Sequence, residues 1–242
     1  MANIEGRTVL VTGGNRGIGR ALVIEALARG ATRVYAGMRQ LVPADDPRVT
    51  PLALDVTDAD QIAAAVEQVD VLDLLINNAG VSRYDDLTDR SVIERHLAVN
   101  LFGPYGVTQA FLPLLTRSGG AVVNNLSLNS FAPLPVIPAY SISKAAAFSL
   151  TQSLRALLAG RGVAVHAVLT GPVDTDMSRG VDIPKASAAS VAVAILDGVE
   201  KGEEDIFPDP MSAALADGWR TGVVKAFERE YATLVAAPQV AP

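Results

Sequence analysis

Tyr140 and Lys144 stand four residues apart in Tyr140-Ser141-Ile142-Ser143-Lys144, at the head of a stretch with helical period, so their side chains share one helix face a turn apart. A tyrosine with its ordinary pKa of about 10 is a poor base at neutral pH, but an ammonium beside it favours the phenolate and lowers that pKa. The phenol can then exchange a proton with an alcohol or carbonyl oxygen. Taken alone, such a pair is usually a solvated helix face, so its meaning depends on the company it keeps. Asn100, in Leu97-Ala98-Val99-Asn100-Leu101, carries a hint of its own. In a continuous helix its carbonyl would accept from the N–H of residue 104, but that residue is Pro104, which has no N–H and crowds the carbonyl. Two readings stand side by side: the carbonyl is left free, or Pro104 simply kinks a long helix.

A second constellation lies near the start. Thr12-Gly13-Gly14-Asn15-Arg16-Gly17-Ile18-Gly19 follows a short apolar run and leads at once into an amphipathic helical stretch. Residues without a Cβ allow a sharp turn and close approach of backbone to a pyrophosphate, while the helix N-terminus offers unpaired N–H groups and a positive dipole end. An ordinary glycine-rich loop is the competing reading, weakened by the order strand, turn, helix.

The elements that must position these groups alternate. Short β-branched runs at residues 7–12, 33–36, 49–54, 72–76, 121–126 and 163–170, with a shorter one at 205–207, are separated by Ala/Leu-rich stretches that predict helices from Ile18, Ala59, Ser91, Tyr140 and Ser187. The runs are apolar without alternation, as in strands buried on both faces. The expected fold is therefore α/β, one doubly wound (Rossmann-type) parallel sheet of about six to seven strands with helices on both faces. One domain is expected over 1–242, with a substrate-loop region at about 176–190, loops at 132–138 and 177–185, and an irregular tail from Ala226. An apolar fraction of 50% with 19% charged residues excludes a disordered chain. Net charge −6 without a basic cluster argues against nucleic acid, and the absence of cysteine removes disulfides and thiolate metal sites. No apolar run approaches the roughly 20 residues of a membrane span, so no membrane partner and a cytoplasmic location are expected.

The glycine spacing, Gly13 to Gly17 to Gly19, resembles the TGxxxGxG turn of the short-chain dehydrogenase/reductase family, and further matches follow in that family's order over about residues 7 to 177. The resemblance implies a cofactor site of Gly13, Asn15, Arg16, Gly17, Ile18 and Gly19, with Asp55 and Val56 in Leu54-Asp55-Val56 holding the adenine. Asn78, Ala79 and Gly80 of Asn77-Asn78-Ala79-Gly80 would flank the adenosine ribose. Asp55 could equally be a helix N-cap before Ala59. The resemblance makes Tyr140 the general acid/base and gives Lys144 two tasks, lowering the tyrosine pKa and holding the nicotinamide ribose. Ser127, thirteen residues before Tyr140, would hydrogen-bond the substrate oxygen, with Ser130 as fallback, because only one serine stands where the family often has two. Asn100 completes the group through its backbone carbonyl and a water leading to the lysine. Val173 and Thr175 of Thr170-Gly171-Pro172-Val173-Asp174-Thr175 would meet the carboxamide, although Thr170 stands where proline is usual. Arg16 and Arg39 occupy the two basic positions that NADP-preferring relatives place around the 2′-phosphate. Met38 stands where NAD-selective relatives carry an acid, so NADP(H) is expected over NAD(H).

The reading is a reversible hydride transfer between NADP(H) and a carbonyl or secondary alcohol, an apolar ketone or aldehyde given Leu128, Phe131, Val136, Ile137 and Met177 near the expected site. A homodimer or homotetramer is implied by the family. Two alternatives remain: a regulator of the same fold that senses NADP(H) without turnover, for which a full catalytic group would be superfluous, and an epimerase or dehydratase, whose larger substrate domain this chain has no room for. His96 and His166 share no metal-ligand spacing, so no metal is expected; Trp219 and Met38 read as packing, and Glu203-Glu204-Asp205 as a solvated loop.

Overall fold

Val9 and Val11 pack into one hydrophobic core and Leu10, between them, into another. Successive strand side chains point to opposite faces, so a strand covered on both sides has no polar position to offer, and the unbroken apolar runs of the sequence follow from that. The computed structural model describes residues 3–235. Its main sheet contains β1 (Thr8–Thr12), β2 (Arg33–Met38), β3 (Val49–Ala53), β4 (Leu74–Asn77), β5 (Ala121–Asn125) and β6 (Ala164–Val168). After these, β7 (Val173–Asp174) and β8 (Ala186–Ser187) pair with each other apart from the sheet, and β9 (Asp205–Ile206) joins its edge. The order is β3-β2-β1-β4-β5-β6-β9, with every neighbour parallel.

Helices α1 (Gly17–Ala28) and α6 (Ala188–Glu200) cover one face, and α2 (Ala59–Glu67), α4 (Gly103–Ser118) and α5 (Pro138–Ala159) the other. The strand order reverses between β1 and β4, and in open α/β sheets that reversal opens a crevice at the strand C-terminal ends. The expected fold class therefore holds, with strand ends displaced by at most two residues.

The segment from Arg90 to Ser118 is not one helix. Helix α3 (Arg90–Leu97) passes into a π-turn, Ala98–Phe102, in which Gly103 N–H donates to the Ala98 carbonyl, and α4 then begins. Pro104 falls in the first turn of α4, where a missing N–H costs least. The break is a change of register around Asn100 rather than a simple bend.

Two expectations fail at the C-terminal end. The tail expected to be irregular from Ala226 contains α8 (Val223–Ala232), preceded by α7 (Pro210–Arg220). Glu203-Glu204-Asp205 is no solvated loop either, because Asp205 is 3% exposed and begins β9. Charge explains both. Lys225 of α8, itself buried, donates to Asp205 at 2.7 Å, Glu228 at 2.9 Å and Glu204 at 3.0 Å. Arg155 of α5 reaches Asp205 at 2.7 Å and also pairs with Glu228, while Trp219 Nε1 donates to Asp205 at 2.7 Å. A short polar helix thus docks through buried ion pairs, which hydrophobic periodicity does not register. The final residues, 236–242, lie outside the described residues.

Candidate active site

The glycine turn leaves β1 at its C-terminal end. Gly17 has φ +52°, a left-handed conformation that side chains rarely adopt, and a Cβ on Gly19 would lie 2.0 Å from the Gly13 carbonyl oxygen. Only glycine permits this tight junction of turn and helix. Asp58, Asp89, Ser187 and Asp209 cap α2, α3, α6 and α7 with side-chain oxygens, whereas Arg16, the N-cap of α1, makes no side-chain cap bond. The first N–H groups of α1 therefore face the crevice without a side-chain acceptor, a donor set that fits a pyrophosphate. Asn15 is exposed in the turn and Ile18 packs into the core beneath it.

Other expected cofactor residues gather around this turn. Thr12 Oγ1 accepts from the N–H groups of Asn78 and Ala79, both at 3.0 Å. Leu54 N–H donates to the Met38 carbonyl at 3.0 Å, which sets Asp55 and the buried Val56 beside the end of β2. Asp55 does not cap the following helix; Asp58 does, and Asp55 instead accepts from the N–H and hydroxyl of Thr57. Arg39 follows β2 and is exposed. Arg16 is exposed as well and lies 3.7 Å from Asp176. Thr175 places its methyl 3.2 Å from the Cβ position of Gly17, so the loop after β7 lies against the glycine turn, and the buried Val173 carbonyl accepts from Ser178 Oγ at 2.6 Å. The expected substrate loop at about 176–190 ends in β8 and the first turn of α6.

Tyr140, Lys144 and Ser127 converge where α5 meets the end of β5. Lys144 Nζ lies 5.7 Å from the Tyr140 ring centroid and donates to the Asn125 carbonyl at 2.7 Å. Burial pushes the Lys144 ammonium down to about 8. The Tyr140 phenol moves the opposite way from the sequence expectation: burial raises it above 10, and the neighbouring Ser127 hydroxyl pulls it back only in part. The ammonium sits beside the ring with its proton directed to a backbone carbonyl, so desolvation outweighs its attraction. Ser130 Oγ donates to the Lys144 carbonyl at 3.0 Å inside α5, which leaves Ser127 as the serine beside the phenol.

The Asn100 side chain makes three hydrogen bonds. Its amide accepts from Val81 N–H at 2.9 Å and donates to the Val81 carbonyl and to Ser143 Oγ, both at 2.9 Å, while Ser143 Oγ donates to the Tyr140 carbonyl at 2.7 Å. A Cβ on Gly80 would lie 3.3 Å from Asn100 Oδ1 and 3.8 Å from Lys144 Nζ. The Asn78-Ala79-Gly80 corner, Asn100 and Lys144 are thus in mutual contact range. His96 is buried with its Nδ1 against the Val92 carbonyl, and its ring meets that of Tyr140 edge-on at 6.5 Å.

Sequence reasoning missed Asn125 and Thr170. Asn125 Nδ2 donates to Asn78 Oδ1 at 3.0 Å, and Thr170 Oγ1 donates to Asn125 Oδ1 at 2.8 Å. The signal available was a polar residue at the end of each of two apolar strand runs. Of the residues expected near the site, Leu128 and Phe131 are partly buried against a third core cluster, Phe131 at 4.4 Å from Trp219 and edge-on to Phe148 at 5.2 Å. Val136 and Met177 remain exposed.

A doubly wound sheet with a glycine turn at its switch point and a tyrosine–lysine pair at the neighbouring strand end defines a dinucleotide-dependent class of protein. The family model for short chain dehydrogenase matches residues 7–185. A crystal structure of a short chain dehydrogenase from Burkholderia cenocepacia in complex with NADP is similar over 94% of this chain and 98% of that one, at 38% identity and TM-score 0.85. The short chain dehydrogenase tazN of Aspergillus terreus is 33% identical over 201 residues, 74% of this chain, and the chain spans only 44% of that relative's length. An uncharacterized oxidoreductase of Staphylococcus epidermidis, SERP2049, is 31% identical over 211 residues, 81% of this chain and 92% of that protein. The chain belongs to the short-chain dehydrogenase/reductase family.

Proposed function

We propose that the protein is an NADP(H)-dependent oxidoreductase that transfers hydride reversibly between the nicotinamide and the carbonyl carbon of a ketone or aldehyde. The observation that carries this reading is the meeting of Tyr140, Ser127 and Lys144 at the end of β5, beside a glycine turn whose helix N-terminus lacks a side-chain cap. The bound cofactor supplies the hydride. The remaining work belongs to the chain. Ser127 orients the substrate oxygen, and the Tyr140 hydroxyl gives that oxygen its proton. A phenol raised above 10 is fully protonated at neutral pH, which suits it as the acid in carbonyl reduction. Lys144 supports the phenolate left behind, and its ammonium would donate to a ribose hydroxyl of the bound cofactor. In the oxidising direction Tyr140 must first lose its proton, so alcohol oxidation gains with rising pH.

Arg16 and Arg39 leave the C-terminal ends of neighbouring strands, and Met38, not a carboxylate, ends β2, which supports NADP(H) over NAD(H). Val136, Met177, Leu134 and Ile183 offer exposed apolar surface for an apolar substrate. Phe102, Tyr105, Ile142 and Leu157 are exposed on the π-turn, α4 and α5, which supports a homodimer or homotetramer. No helix of the described residues is long and apolar enough to cross a membrane. The test is to mix the protein with NADPH and a panel of ketones, aldehydes and quinones while following NADPH absorbance, with Tyr140→Phe in parallel. The variant is expected to bind NADPH and lose about 10²- to 10⁴-fold in turnover. Activity within threefold of wild type removes Tyr140 from the mechanism, and absence of turnover on every substrate favours a sensor.

A further inference from the structure

Asn125 joins three parts of the site at once. Its carbonyl accepts from Lys144 Nζ at 2.7 Å, its amide N–H donates to Asn78 Oδ1 at 3.0 Å, and its amide oxygen accepts from the Thr170 hydroxyl at 2.8 Å. Asn78 Nδ2 in turn donates to the backbone carbonyls of Thr12 at 3.0 Å and Gly13 at 3.4 Å. Those two carbonyls can only accept, so the Asn78 amide must present its N–H groups to them and its oxygen to Asn125. Asn125 must therefore present its N–H to Asn78 and its oxygen to Thr170, which has to be the donor. The orientation of every member is fixed from one end. A single directed chain, from Thr170 through Asn125 and Asn78 to the first glycine of the turn, runs across the C-terminal ends of β6, β5, β4 and β1.

We propose that Asn125 and Thr170 are positioning residues: this directed chain holds the Asn125 carbonyl under the Lys144 ammonium and steadies the glycine turn against which the cofactor binds. The inference rests on the reading of Lys144 and the glycine turn as one cofactor site. The backbone on either side is consistent with such a role. Leu126 and Leu128 N–H groups donate to the carbonyls of Val168 and Thr170 at 2.8 and 3.1 Å, so β5 is tied to its β6 neighbour by the ladder. On the β4 side, beyond the last ladder residue Asn77, the Asn125 side chain supplies the tie instead. An aliphatic residue at 125 would leave Asn78 Oδ1 without its donor and the β5 end free to shift away from Lys144.

Two measurements read the two ends of the chain, and neither needs turnover. The chain's lysines are Lys144, Lys185, Lys201 and Lys225, so ¹³C-lysine NMR of the whole protein without cofactor follows Lys144 in a sparse spectrum, assigned by its loss in Lys144→Met. The titratable group facing Lys144 among the described residues is Tyr140, which every variant keeps. NADPH affinity is read separately by quenching of the protein's single tryptophan. Losing a carbonyl acceptor disfavours the ammonium, so Thr170→Val and Asn125→Leu should lower the Lys144 titration midpoint by about half to one pH unit, a three- to tenfold change in its acid dissociation constant. NADPH affinity should fall about three- to tenfold in Thr170→Val and by at least as much in Asn125→Leu. Thr170→Ser retains the hydroxyl and should restore both values. If Asn125→Leu does not fold, the isosteric Thr170→Val and its serine counterpart decide alone. A folded Thr170→Val with the wild-type midpoint and wild-type affinity overturns the inference, as does a Thr170→Ser no better than Thr170→Val. Wild-type protein that binds neither NADPH nor NADH refutes the functional reading instead, and the Lys144 midpoint still decides the positioning role.

Discussion

Replacing Lys144 with methionine keeps most of the side chain's length and removes its charge, and the structure sets opposite energetic consequences at the two ends of the accessible pH range. Lys144 is 6% exposed and burial lowers its pKa from 10.5 to about 8. The folded protein thus holds this proton less tightly than the unfolded chain does. Between about pH 8 and pH 10.5 the unfolded state binds more protons, so stability rises with pH through that window, while below pH 8 the cost of the buried charge is fully present. At about 1.4 kcal/mol per pH unit the excursion is about 3 kcal/mol. At pH 7 Lys144→Met lifts that cost, but it leaves the Asn125 carbonyl without the donor it has at 2.7 Å, a loss of about 1 to 3 kcal/mol. The variant should be as stable as wild type or up to about 2 kcal/mol more stable at pH 7, and the less stable protein by pH 10. The carbonyl contribution is the same at every pH, and the raised Tyr140 phenol is common to both proteins. The change in their difference across the window, about 3 kcal/mol, therefore belongs to Lys144. Urea unfolding at pH 7, 8, 9 and 10, followed by the fluorescence of Trp219 where it packs on Phe131 and Phe148, measures it. Parallel stability curves, with a difference constant to about 0.5 kcal/mol, would refute the assignment of a lowered pKa to Lys144.

Ser127→Ala should lower kcat/KM for carbonyl reduction by about tenfold or more, the scale of a hydrogen bond that develops charge, while Ser130→Ala, which removes only a bond to the Lys144 carbonyl, should affect stability more than turnover. The reverse ranking in steady-state kinetics would make Ser130 the substrate-facing serine. Pro104→Ala supplies the N–H that Asn100 lacks in a continuous helix and should favour α-helical register over the π-turn, with turnover reduced and the thermal midpoint equal or higher; full activity would reduce the break to a structural detail. For cofactor choice, Arg39→Ala should lower the NADPH to NADH ratio of kcat/KM by about tenfold to a hundredfold, and Met38→Asp should shift it the same way. Met38 is 5% exposed and its sulfur accepts from Val42 N–H at 3.3 Å, so that second variant needs its unfolding midpoint measured alongside.

Much of the frame could be read because its causes are local. Strands covered on both faces are largely apolar, and the glycines of the turn are dictated by a φ of +52° at Gly17 and by the 2.0 Å approach at Gly19. Tyr140 and Lys144 were legible because a helix alone brings residues four apart onto one face. What escaped depends on partners distant in sequence. Asn125 and Thr170 are 45 residues apart and acquire meaning only when β5 and β6 lie side by side. The upward shift of the Tyr140 phenol reflects burial, which no spacing reports. The stacking of Phe131 on Phe148 and Trp219 likewise joins residues far apart in the chain, which the spacing of apolar residues does not report. Helix α8 was missed for the same kind of reason, since ion pairs to two distant segments, α5 and residues 204–205, fasten it.

That last cluster bears on how the chain comes together during synthesis. Arg155, Asp205 and Glu228 emerge in that order, and Lys225 stands among the latest contributors. Until α8 has left the ribosome, Asp205 has one of its two cationic partners and Arg155 one of its two carboxylates. Arg155 and Asp205 pair without α8, while the second cation and the second carboxylate of the cluster arrive with it. The charge balance at the edge strand β9 is therefore completed only when α8 docks. A nick in the Thr221-Gly222 connection would leave α8 held to the rest of the protein by its ion pairs with Arg155, Glu204 and Asp205.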